Sequence, residues 1–139
     1  MATKKVITCI LFILLFFIGC NKDPQNEISI NHDNSTCGIS EPLQNIPWLK
    51  AYCIELLNTY SATISIYKNN SSDVNYIVID TYSKDEPDRS PSTFHTSSIY
   101  TCAGERLMFQ STEGPTPKGW EAFFKENTFV AKIWEVKKL

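Results

Sequence analysis

The 139-residue chain is short of the groups that carry most enzyme chemistry. It has two histidines, His32 and His95, and contains no Cys-x-x-Cys, His-Glu-x-x-His, P-loop or Gly-x-Gly-x-x-Gly pattern. The familiar sequence routes to a thiol redox pair, a helix-borne zinc site, a phosphate cradle or a dinucleotide site are therefore missing. Charge of one sign is also scarce: 13 Lys and Arg stand against 15 Asp and Glu, a formal charge of −2. Such a balance has no electrostatic footprint for nucleic acid. A long apolar run is absent too. The stretch Val6 to Ile18, apolar apart from Thr8, is 13 residues long, whereas a helix crossing the ~30 Å hydrocarbon core needs about 20.

That short run has the layout of an export signal. Lys4 and Lys5 precede it, and the small residue Gly19 follows it, immediately before Cys20. Phe17-Ile18-Gly19-Cys20 resembles the bacterial lipobox. The resemblance implies that residues 1–19 are a lipoprotein signal peptide and that Cys20, once lipidated, becomes the first residue of the mature chain. Each buried methylene stabilises membrane association by about 0.8 kcal/mol, so two or three acyl chains hold firmly where one holds marginally. Asn21, rather than Asp, after the cysteine favours delivery to the outer membrane. Lys22-Asp23 resembles the start of a surface-export signal, but Pro24 ends the acidic run after one residue. The periplasmic and the surface-exposed side both stay open.

Removing residues 1–19 takes away Lys4 and Lys5, which leaves 11 Lys and Arg against 15 Asp and Glu, a formal charge of −4. Residues 20–44 are rich in Asn, Asp, Glu, Ser and Pro. Their few apolar members, Ile28, Ile30, Ile39 and Leu43, show no sustained period. They read as a flexible tether after Cys20, with a single domain over residues 45–139, a common domain size.

The domain opens on "NIPWLKAYCIELLNTY", residues 45–60. Asn45 can cap a helix, and Pro47 fits a first turn, where its missing N–H has no partner to lose. At 100° per residue Ile46, Leu49, Cys53, Leu56, Leu57 and Tyr60 share one face. Trp48 lies towards the polar side. Two accounts of it stand together: it folds over the first turn or a neighbouring loop, or it faces a partner as an aromatic anchor.

Beyond the helix the period changes to two. Residues 62–68 and 74–80 read as a hairpin around "NNSSD", and residues 97–102 and 105–110 as a second hairpin around Ala103-Gly104. "SKDEPDRSPS", residues 83–92, is a polar loop. Thr116-Pro117 can open a short helix through Trp120, Phe123 and Phe124, ending near Asn127. "TFVAKIWEV" closes as a strand with apolar residues on both sides, the mark of a central or covered position. The expected fold is α+β: an antiparallel sheet of about five strands, packed on one face by the N-terminal amphipathic helix, with a short second helix before the last strand.

Taken together, "IPWLKAYCIEL", Ile66-Tyr67, "VNYIVI", "IYTCAGERLMF" and "FFKENTFVAKIW" resemble a family of small Bacteroidota lipoproteins with one uncharacterised C-terminal domain. The most specific element is Pro47-Trp48-Leu49-Lys50, and the resemblance covers roughly residues 45 to 135. It implies a fold and a compartment but no activity.

With Cys9 in the signal and Cys20 lipidated, Cys37, Cys53 and Cys102 remain in an oxidising compartment. Three thiols allow one bridge. Cys53 lies on the apolar helix face, where a thiol behaves as a small hydrophobe. Cys37–Cys102 is therefore the favoured pair and Cys53–Cys102 the alternative. A triad could be written from Ser92, His95 and Asp88, but neighbours in a polar loop are not preorganised. Asp85-Glu86-Pro87-Asp88 reads as a solvated charge run rather than a calcium site. Neither a metal nor a cofactor is expected, and Asn34, Asn69 and Asn70 begin incidental glycosylation sequons. The favoured function is a non-enzymatic binding or interaction module, held at the membrane by its lipid and meeting an envelope protein or a glycan. The alternative is an inhibitor of an envelope or host hydrolase.

The anchor has a direct test. Cells fed an alkynyl palmitate analogue are expected to label the protein, and Cys20→Ser is expected to abolish the label. Label surviving in that variant would refute lipidation at Cys20.

Overall fold

Strands whose residues alternate in polarity sort their side chains onto two sides of a sheet, and this pleat organises the domain. The computed structural model describes residues 27–32, 35–59, 61–82 and 95–137. In chain order its elements are β1 (Glu27–Ile30), β2 (Ser35–Thr36), β3 (Ile39–Ser40), α1 (Pro42–Asn45), α2 (Pro47–Thr59), β4 (Ser61–Asn69), β5 (Asn75–Tyr82), β6 (His95–Thr101), β7 (Arg106–Ser111), α3 (Trp120–Glu126) and β8 (Asn127–Lys137). One antiparallel sheet runs β1-β8-β4-β5-β6-β7, and β2 and β3 form a separate ribbon. The α+β class and both hairpins agree with the sequence reading. The lipobox, Cys20, Tyr60, Ser92 and the run Asp85 to Asp88 lie outside the described residues.

Three expectations need correction. The main sheet has six strands rather than about five, because Glu27–Ile30, assigned to the tether, pairs with β8 from Glu27↔Lys137 to Ile30↔Trp134. The reason is that edge pairing satisfies backbone N–H and C=O groups and does not require buried side chains. Ile28 and Ile30 stay 47% and 46% exposed, so no apolar period marked the strand. Residues 35–44 of the presumed tether are ordered by packing as well: Thr36 and Pro42 are buried, and Cys37, Gly38 and Glu41 have left-handed backbone. Secondly, helices cover both faces of the sheet, not one. Thirdly, Asn45 does not cap the long helix. It ends α1, and its side-chain amide donates to the Ser40 carbonyl at 2.7 Å. Ile46 takes the cap position, its extended backbone closing α1 while its carbonyl accepts from Lys50 N–H at 3.1 Å.

On the first face, Ile46, Leu49, Cys53 and Leu56 of the helical segment pack on Ala62, Ile64 and Ile66 of β4 and Ile77 and Ile79 of β5. The core continues through Ile133, Trp134 and Val136 of β8. A register shift opposite Ile64/Ser65 leaves Ile133 unpaired. Such a bulge lets the consecutive residues Ile133 and Trp134 both enter this core. A second shift, opposite Ile66/Tyr67, leaves Phe129 and Val130 about half exposed. On the second face, Phe123 of α3 packs with Val78 and Ile99, ringed by Tyr67, Tyr76, Met108, Trp120 and Phe124.

The hairpin β6–β7 is tied to the helical layer twice. Cys37 and Cys102 are bridged, 65 residues apart in sequence. Closing a loop of that length removes denatured-state entropy worth about 4 kcal/mol in the chain-entropy account. Trp48 provides the second tie. Its indole N–H donates to the Cys102 carbonyl at 3.0 Å, and its ring lies 5.3 Å from that of Tyr100. Gly104, at φ +89°, leaves room for that ring: a Cβ there would come within 2.9 Å of Trp48 Cγ.

Two outcomes follow. Gly104→Ala combines a left-handed backbone with a clash against an anchored ring. It is expected to lower stability by roughly 2 kcal/mol or more in urea denaturation; an unchanged midpoint would show that the Trp48 contact is dispensable. Burial pushes the Cys53 thiol from 9.0 up to about 12. Because the folded value is the higher one, the stabilisation is complete below about pH 9 and is lost as pH rises towards 12. Native protein should resist iodoacetamide at Cys53 near neutral pH, and Cys53→Ala should lose stability less steeply across that alkaline window.

Candidate functional site

The second face of the sheet is only half covered. Counting by pleat from the strand register, the side that carries Val78 and Ile99 also carries Tyr67 of β4, Asp80 of β5, His95 and Ser97 of β6, and Gln110 of β7. Helix α3 shields the apolar end of this side. The polar end is left as the floor of a hollow of about 410 Å³, within the ~300–1,000 Å³ range of small-ligand sites. Thr112 and Thr116 of the loop before α3, with Trp120 and Phe124 of α3 itself, make the wall. A second hollow of about 380 Å³, lined also by Glu121 and Lys125, shares Thr116 and Trp120 with the first.

The floor is polar and firmly positioned. His95 and Thr112 are tied by two bonds: Thr112 N–H donates to the His95 carbonyl at 3.0 Å, and His95 N–H donates to Thr112 Oγ1 at 3.4 Å. The imidazole stacks on Tyr82, with centroids 4.7 Å apart and planes 9° from parallel. Its Nε2 lies 3.4 Å from Asp80 Oδ1, close enough for an ion pair when the ring is protonated. That approach is not aligned as a hydrogen bond, and Nε2 is buried with no hydrogen-bond partner among the described residues. Gln110 has the same character. Its amide nitrogen donates to the Ser111 carbonyl at 3.1 Å, while its Oε1 is buried and unpartnered. Ser97, directly opposite Asp80 in the register, is 4% exposed.

Asp80 sets the sign of the local field. Burial first, and the Asp80 charge second, raise the hydroxyl pKa values of Tyr67 and Tyr82, both of which stay protonated donors at neutral pH. Among the described residues, neither Lys nor Arg lines the larger hollow. The wall is aromatic: Phe124 stands edge-on to Trp120 at 5.4 Å and to Tyr67 at 5.3 Å. No group of three or more His, Cys, Asp and Glu side chains among the described residues could hold a metal ion.

The structure treats the sequence candidates unevenly. Cys37 and Cys102 are joined, and Cys53 is a free, buried thiol. Trp48 is half-buried, and its hydrogen bond and ring contacts hold it against the β6–β7 hairpin, as the first of the two accounts has it. His95 is brought to Asp80; Ser92 and Asp88 lie outside the described residues. His32 is exposed, after the end of β1. Sequence reasoning did not single out Asp80, Ser97 or Gln110. Asp80 carried a signal as the polar end of the apolar run Ile77–Ile79, whereas β6, polar on both faces from His95 to Ser98, carried none.

An unpartnered buried oxygen is costly, so its removal should be harmless to folding. Gln110→Met is expected to leave stability unchanged or raise it by about 1 kcal/mol, read from the thermal midpoint at constant protein concentration. A clear loss would mean that Oε1 is satisfied within the fold. No helix of the described residues is long and apolar enough to cross a membrane. Comparison with protein-family models, curated proteins and solved structures finds no match for the chain.

Proposed function

We propose that the protein is a lipid-tethered, non-enzymatic binding module of the cell envelope, and that the hollow over Asp80, His95 and Gln110 is its binding site. The anchor rests on the lipobox-like Phe17 to Cys20, and the outer membrane on Asn21 after it. The resemblance to small Bacteroidota lipoproteins agrees with both. The working surface rests on one observation: His95 Nε2 and Gln110 Oε1 are buried at the floor of the hollow without a hydrogen-bond partner among the described residues. Buried polar atoms are nearly always hydrogen-bonded, and a pair left open beside a cavity is suited to receive a ligand's groups.

Binding is favoured over turnover on geometric grounds. Covalent catalysis needs a nucleophile hydrogen-bonded to an oriented base. Ser97 shares the hollow with His95 and Asp80, but His95 Nε2 makes no hydrogen bond to either. The three therefore form a polar floor rather than an aligned relay.

In-cell photo-crosslinking tests the surface. A benzophenone amino acid at Thr112, on the rim of the hollow, is expected to give an adduct. The same group at Ile54, 56% exposed on the helix of the opposite face, is the control and should not. Equal adducts at the two positions, or none at Thr112, would refute the hollow as the binding surface.

A further inference from the structure

The chemistry of the larger hollow narrows what it can hold. Among the described residues, Asp80 and His95 are the only Asp, Glu, His, Lys or Arg side chains that line it. An anionic ligand would meet the Asp80 charge, which no Lys or Arg among the described lining residues offsets. A metal ion would find too few ligands, since no group of three or more candidate side chains exists among the described residues. A purely apolar ligand would cover the part-exposed Asp80 carboxylate without giving it a hydrogen-bond donor.

A polyhydroxylated ligand meets each of these conditions. Its hydroxyls both donate and accept: they can donate to Gln110 Oε1 and to the Asp80 carboxylate, and pair with His95 Nε2 in either tautomer. The C–H face of a pyranose ring is flat and weakly positive, matching the negative face of an aromatic ring, so Trp120 can stack a sugar in the way it would any apolar plate. Trp120 and Thr116 border both hollows. A ligand stacked at Trp120 could therefore extend from one hollow into the next, which a chain of sugar units does and a single small molecule does not.

Resting on the reading that this hollow is the binding site, we infer that it receives a neutral oligosaccharide of at least two units. Asp80, His95 and Gln110 bind the hydroxyls of one unit, and Trp120 stacks at the junction with the next.

The test uses the full-length, lipidated protein in detergent micelles. A panel of neutral gluco-, manno-, xylo- and chito-oligosaccharides of two to six units is titrated against it, read by tryptophan fluorescence and by calorimetry. In parallel, the adduct formed at Thr112 in cells is digested and weighed. Binding by at least one oligosaccharide is expected, together with an adduct carrying sugar-unit mass increments. Affinity should fall roughly 10- to 100-fold in Asp80→Ala, the loss of a charge-assisted hydrogen bond. It should fall comparably in Trp120→Ala and recover in Trp120→Tyr, with a thermal midpoint for each variant showing that it is folded. Sugar binding unaffected by Asp80→Ala and Trp120→Ala would place the sugar elsewhere and overturn the inference. An adduct of peptide or lipid mass, with no oligosaccharide bound, would overturn the sugar while leaving the hollow as a binding site. No adduct at Thr112 and no binding would remove both.

Discussion

The pleat of the β4–β5–β6 ladder is the constraint on which the rest depends. Because successive side chains in a strand point to opposite faces, the register Ile64↔Ile79 and Ile66↔Ile77 places four isoleucines under the helical layer. The same register puts Tyr67, Val78, Asp80, His95 and Ser97 on the other side. Core and candidate site are thus two faces of one arrangement. A slip of one residue would exchange them, burying Asp80 and exposing the isoleucines, at a cost no local adjustment could offset.

Around that ladder, the domain fixes its margins with interactions of a different kind. At one edge, β1 satisfies the open backbone of β8 and contributes little side-chain burial. Near the other, the Cys37–Cys102 bridge and the Trp48 hydrogen bond to the Cys102 carbonyl hold the β6–β7 hairpin against the helical layer. The bridge acts by limiting the unfolded chain, and the indole acts by packing and one directed bond. The hairpin they secure contributes His95 and Gln110 to the hollow. The mouth of that hollow therefore inherits the rigidity of a cross-linked element rather than that of a loop.

The site itself runs against the stability of the fold. His95 Nε2 and Gln110 Oε1 are buried without a hydrogen-bond partner among the described residues, whereas an apolar side chain at either position would avoid that penalty. Proteins retain such features where function uses them. Trp120 and Phe124 add an aromatic wall at the end that α3 covers, so the hollow grades from polar to aromatic along its length.

Where a sequence signal depends on side-chain burial with a regular period, it carried through. The long helix and the interior position of β8 are read from apolar spacing, and both hairpins and the short helix from spacing together with turn and helix-start residues. The spacing determined them because one buried face leaves one register. Whatever depends on backbone pairing or on distant contacts was decided only by the tertiary structure. Glu27–Ile30 became a strand because β8 had an edge to fill. Ile133 and Trp134 share a core because a bulge broke the alternation. Trp48, on the polar side of its helix by angle alone, turned inward because Gly104 left room for its ring. Asp80 and His95 are 15 positions apart and meet only when β5 and β6 pair. Periodicity states which face a residue takes, but only the assembled sheet states what lies across from it.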